Sequence, residues 1–83
     1  MVAHPNTLHI KILENGDVYF DHVKMLGMDI LLGLLRIATL RVPRPEIHIV
    51  CTGDFTSLGK VVFQTQLADF PTENVHVFRS VQS

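Results

Sequence analysis

The sequence predicts an α+β fold: a two-layer α/β sandwich in the order β-β-α-β-α-β, with both helices on one face of a single mixed four-stranded sheet. Three observations carry this expectation. Three short apolar runs each hold a histidine at the centre, Leu8-His9-Ile10, Ile47-His48-Ile49 and Val75-His76-Val77. In strands, alternation sends the imidazoles to one face and the Leu, Ile and Val to the other. Between these runs lie two segments in which apolar residues recur at helical spacing. Right-handed crossovers then place both helices on the same side of the sheet.

The first strand alternates Leu8, Ile10 and Ile12 with His9 and Lys11, the pattern of a half-buried strand. Glu14-Asn15-Gly16-Asp17 supplies a tight-hairpin signal before Val18-Tyr19-Phe20. Two registers fit. A two-residue Asn15-Gly16 loop sets Tyr19 and Asp21 beside Ile12 and Ile10, whereas a three-residue loop with a left-handed Gly16 sets Val18 and Phe20 there. The second is preferred, because it buries the apolar pair and exposes Tyr19 and Asp21; Asp17 and Asp21 are then turn and strand-end residues.

A helix is predicted from about Met28 to Leu40, with Ile30, Leu31, Leu34, Leu35, Ile37 and Ala38 on one broad inner face. Leu32 and Leu40 fall outside that arc, either as helix-edge residues or as a surface that another subunit covers. Pro43 and Pro45 end the segment, since proline lacks a backbone donor and biases its predecessor toward extended geometry. Arg36, Arg41 and Arg44 gather near this end, where cations meet the helix dipole favourably. Ile47, Ile49 and Cys51 form the buried side of the third strand, with His48 and Val50 opposite. Thr56 or Ser57 is the expected cap of a second helix running to about Asp69, with Leu58, Val61, Val62, Thr65 and Ala68 inward and Phe63 and Leu67 off that face. Pro71 stops it, and Val75 to Phe78 form the last strand.

Composition narrows the function classes. The 83 residues, 47% apolar and 18% charged, make one domain over 1–83 with an ordered core over about 7–80. Net charge is −1, with seven lysines and arginines dispersed along the chain, unlike the dense basic stripe of a nucleic-acid reader. A single cysteine, Cys51, allows no internal disulfide. The longest apolar stretch, Ile30 to Leu35, is broken by Gly33 and is far shorter than the about 20 residues of a spanning helix. The start, Met1 to Pro5, lacks the regions of a secretory signal. The chain is therefore expected to be cytoplasmic, or a piece cut from something larger.

The candidate chemistry is sparse. His9, His48 and His76 are the only candidate metal ligands: on adjacent strands, about 4.8 Å apart, they could share a zinc ion, but the sequence does not fix that adjacency and no close His/Cys pair of a structural zinc site accompanies them. No metal, no cofactor and no catalytic residue are expected, with the imidazoles as surface side chains; a metal-binding or pH-responsive role for the three is the alternative. His4 and His22 are assigned to a terminus and a loop. Cys51 sits before Thr52-Gly53-Asp54, where Asp54 disfavours a thiolate, and its inward parity makes it an inert core thiol. Gly53 to Lys60 fails as a phosphate loop: five residues separate Gly53 from Gly59 where four are needed, and Val61 follows the lysine. Gly59 is instead expected to permit close packing of the second helix.

The string Gly16-Asp17-Val18-Tyr19, the leucine-rich first helix, Pro45-Glu46-Ile47-His48-Ile49, Ser57-Leu58-Gly59-Lys60-Val61-Val62 and Asn74-Val75 resembles the soluble periplasmic domain of the ExbD/TolR biopolymer-transport family. These pieces span about Leu8 to Arg79. The resemblance implies a non-enzymatic interaction and dimerisation module of a proton-driven envelope motor, periplasmic and partnered by membrane motor subunits. The family's proton-carrying aspartate lies on a transmembrane helix ahead of this domain, so no motor residue carries over. Phe63-Gln64-Thr65 and Phe70-Pro71-Thr72 depart from the family pattern. Partner contact, including a homodimer through an exposed strand edge or the open sheet face, is expected at His9, Tyr19, His48, His76 and Phe78.

Overall fold

The computed structural model describes residues 6–53 and 55–79. His4, Asp54 and the last residue of the expected 7–80 core lie outside them. The elements are β1 (Thr7–Ile12), β2 (Val18–Phe20), β3 (Val23–Lys24), α1 (Met28–Ala38), β4 (Glu46–Cys51), α2 (Phe55–Leu67) and β5 (Val75–Arg79), the last entered through a 3₁₀ turn at Thr72–Asn74. They form a two-layer α+β arrangement on one mixed sheet of order β3-β2-β1-β4-β5. The sheet has five strands, one more than expected. β3 is two residues long with both side chains exposed, so it carries no alternation that a sequence could display.

β1 is central, antiparallel to β2 and parallel to β4, and β4 is parallel to β5. Ile12 pairs with Val18 and Ile10 with Phe20, the register of the three-residue loop. The Leu13 N–H donates to the Asp17 carbonyl at 2.9 Å, and Gly16 takes φ 90, a left-handed value that favours glycine. Asp21 follows the strand as expected, but Tyr19 is half-buried rather than exposed. Phe20 pairs with Val23 across Asp21 and His22, at φ 47 and φ 72. Two consecutive left-handed residues make the type I′ turn that suits a hairpin's twist. With no glycine there, the turn is hidden from the usual signals.

The inward side chains of β1 and β4, Leu8, Ile10, Ile12, Ile47, Ile49 and Cys51, are buried and cluster with Leu31, Leu35 and Ala38 of α1 and Val61 of α2. The inner stripe of α1 is narrower than its spacing implied and turned about the axis. Leu32 packs on the core, whereas Ile30, Leu34 and Ile37 are exposed at 45%, 37% and 67%. An 11-residue helix over so small a sheet has room to bury one stripe, here Leu31, Leu35 and Ala38. The helix ends at Ala38, two residues short of the expected Leu40, which is exposed.

The stripe of α2 is as expected: Val61, Thr65 and Ala68 are buried, Leu58 and Val62 pack against the core, and Phe63 and Leu67 are exposed. Its start differs, because Thr56 and Ser57 lie inside the first turn, with the Ser57 hydroxyl donating to the Gly16 carbonyl at 3.2 Å. Its end is a Schellman turn rather than a proline stop. The Phe70 N–H reaches the Thr65 carbonyl at 3.1 Å, the Asp69 N–H reaches Gln66 at 3.0 Å, and Asp69 is left-handed at φ 66. This turn swings Phe70 into the core; Pro71 only follows.

Gly59 is not a close-packing position. A methyl group there would meet nothing within 4 Å. Gly59→Ala is therefore expected to stabilise the fold by about 0.5–1 kcal/mol, since glycine in a helix interior carries that entropic cost. Thermal unfolding checks it; a lower melting temperature would contradict the open environment.

Candidate functional site: the open face of the sheet

The parity that buries the isoleucines places the other side chains of the sheet in two rows across its far face. His9 is registered with His48, and His48 with His76. The ring centroids stand 5.7 Å and 5.5 Å apart, nearly perpendicular in both pairs. In the next row, Lys24 pairs with Tyr19, Tyr19 with Lys11, Lys11 with Val50 and Val50 with Phe78. The Phe78 ring packs on His48 at 5.4 Å, so the rows meet at β4 and β5. All five residues expected to make partner contacts, His9, Tyr19, His48, His76 and Phe78, thus share one face.

Neighbouring groups fix several of these side chains. Nε2 of His76 lies 2.6 Å from Oε1 of Glu46, a residue with the same outward parity as His48 two positions on. Sequence reading passed over Glu46, although that spacing was the available signal. The Asp21 carboxylate accepts the His9 backbone N–H at 3.2 Å, and the Asp21 N–H donates to the His9 carbonyl at 2.9 Å, which locks the turn beside the histidine row. Lys24 Nζ stands 3.6 Å from Asp17 Oδ2. That pair is solvated and contributes at most about 1 kcal/mol. His9, Lys11, Tyr19, His22, Val50 and Leu13 line a shallow, open groove of about 710 Å³; His22 therefore borders the face rather than lying remote from it.

Zinc demands nitrogens that converge on a point about 2.1 Å from each, and the neighbouring rings in this row meet edge to face. Among the described residues no group of three or more His, Cys, Asp or Glu is placed to hold a metal ion. Cys51 is fully buried on the helix side of the sheet, away from this face.

The two edges of the sheet differ. β3 is short and ends in Lys24, both features that discourage strand pairing. β5 has five residues, carries neither lysine nor proline, and leaves Val77 and Phe78 42% and 50% exposed on opposite faces; its one fixed charge, Arg79 at the end, lies over the Phe55 ring at 5.5 Å. Among the described residues no strand lies outside it. No described helix is long and apolar enough to cross a membrane. In comparisons with known proteins, no family model, curated protein or solved structure matched the chain.

Proposed function

We propose that this protein is a non-enzymatic interaction and dimerisation domain of the ExbD/TolR type, a periplasmic contact module of a proton-driven envelope motor that docks protein partners on its open sheet face and β5 edge. The observation that carries the reading is β5: an edge strand of five residues with no strand beyond it among the described residues, with neither lysine nor proline, and with its one fixed charge, Arg79, at the last position. An extended partner segment added there gains main-chain hydrogen bonds, and its side chains fall alternately beside Phe78 and His76 or beside the valines. His9, Tyr19 and His48 extend the contact across the face, and the resemblance makes a membrane motor subunit the partner and a homodimer the working state.

Two measurements test this. Sedimentation equilibrium up to about 1 mM protein is expected to show a dimer; a monomer throughout would overturn the dimerisation reading. A photo-crosslinking residue placed at Tyr19 in the native host is expected to give an adduct with a membrane-embedded subunit, absent when the probe is at Lys60 on α2. Equal yields at the two sites, or no adduct, would overturn the docking face.

A further inference from the structure

α1 carries a second surface that the sheet reading does not use. Ile30, Leu34 and Ile37 are exposed and, at 100° per residue, fall within an arc of about 60°. Gly33 adjoins that arc in mid-helix, where glycine costs about 1 kcal/mol relative to alanine. Nothing among the described residues accounts for it: beyond the helix's own backbone, a methyl group at Gly33 would meet no atom within 4 Å. An exposed apolar stripe interrupted by an unexplained notch is the shape expected where another backbone approaches closely.

The order of residues along this stripe selects the occupant. Reversed about its centre, the exposed stripe is self-complementary: Ile30 falls opposite Ile37, and the Gly33 notch opposite the Leu34 side chain. Asp29 and Arg36 are seven residues apart, so they lie within about 20° on one flank, separated by about 10.5 Å along the axis. A two-fold axis passing between the two helices at Gly33–Leu34 reverses that flank onto itself, so that Asp29 of each copy stands about 3 Å along the axis from Arg36 of the other, within reach of the two side chains. The apolar stripe and the charges are thus complementary to a second copy laid antiparallel, an isologous contact in which one patch serves both partners.

We infer that two copies of this chain dimerise through α1, crossing antiparallel at Gly33 with reciprocal Asp29–Arg36 pairs. This rests on the self-association proposed above and places the second copy on the helix layer, leaving the open sheet face and β5 of each copy to other partners. The dimer is then bivalent, with docking surfaces turned outward. One short helix pair is small among specific interfaces, so dissociation falls in the micromolar range or weaker.

Sedimentation equilibrium on the full chain tests the arrangement, with folding checked by circular dichroism. Asp29→Arg and Arg36→Asp each set like charges face to face and are expected to raise the dissociation constant at least tenfold, while the double variant restores it to within about threefold of the parent. Gly33→Met, whose side chain has open space in the single copy, is expected to abolish the dimer without lowering the melting temperature. Single charge variants within twofold of the parent, or a double variant no better than the singles, would overturn the inference. A dimer that ignores all four variants yet dissociates on Phe78→Asp would place the second copy on the sheet, refuting this inference while keeping the self-association reading. A parent chain that stays monomeric would refute both.

Discussion

Ile49→Asp is expected to leave the chain unfolded at 25 °C, whereas His48→Asp, one residue earlier on the same strand, leaves it folded and costs about 1 kcal/mol or less. Ile49 is fully buried in β4, between Ile10 and Val77 on the flanking strands. Truncating a core isoleucine alone costs about 2–5 kcal/mol, and an unpaired carboxylate in that position adds several more. A domain this small has a total stability near the lower end of about 5–15 kcal/mol, so the sum exceeds what holds it together. His48 is only half-buried on the open face, and a carboxylate there keeps its hydration. Far-ultraviolet circular dichroism and amide dispersion in NMR spectra check the pair. If both variants unfold, the sheet does not have one wet face.

Phe78→Asp is expected to reduce the crosslink from Tyr19 to its membrane partner at least tenfold, with the fold and the dimer unchanged. The Phe78 ring is half-exposed and packs on His48 at 5.4 Å, so its loss to the isolated domain is about 0.5–1.5 kcal/mol. In a docked complex the same ring is an aromatic anchor at the free edge, and removing such an anchor commonly costs 2 kcal/mol or more of binding, a factor of about 30. Val77→Lys provides a second route to the same outcome, because lysine on an edge strand opposes pairing. Quantitative mass spectrometry of the adduct gives the readout; a crosslink undiminished in both variants would remove β5 from the docking surface.

The strands that carry alternation were legible in the sequence. β1, β4 and β5 each contain two or three apolar residues of one parity around a histidine, and register leaves that parity only one buried side. The same rule selected the hairpin loop, since only the three-residue version put Val18 and Phe20 on the core side. What escaped notice was local geometry without a composition signature. Asp21 and His22 adopt left-handed conformations that glycine usually supplies, and β3 is too short for a pattern. Asp69 likewise ends α2 in place of a glycine, and so delivers Phe70 to the core. The site was legible in its outward histidines and Phe78, but not in Glu46, whose role depends on reaching His76 from the neighbouring strand.

By itself the sequence determined an α+β fold with two helices, a hairpin, and a sheet whose histidines share a face, because periodicities of 2 and 3.6 are properties of the chain alone. Only the tertiary structure decided that β1, β4 and β5 are adjacent, which turns three separated histidines into one row. It also decided which stripe of α1 is buried. Ile30, Leu34 and Ile37 are as apolar as Leu31 and Leu35, so hydrophobicity cannot rank them. The limited area of the sheet and the direction of the helix across it admit one stripe to the core and leave the other, with Gly33 beside it, facing outward.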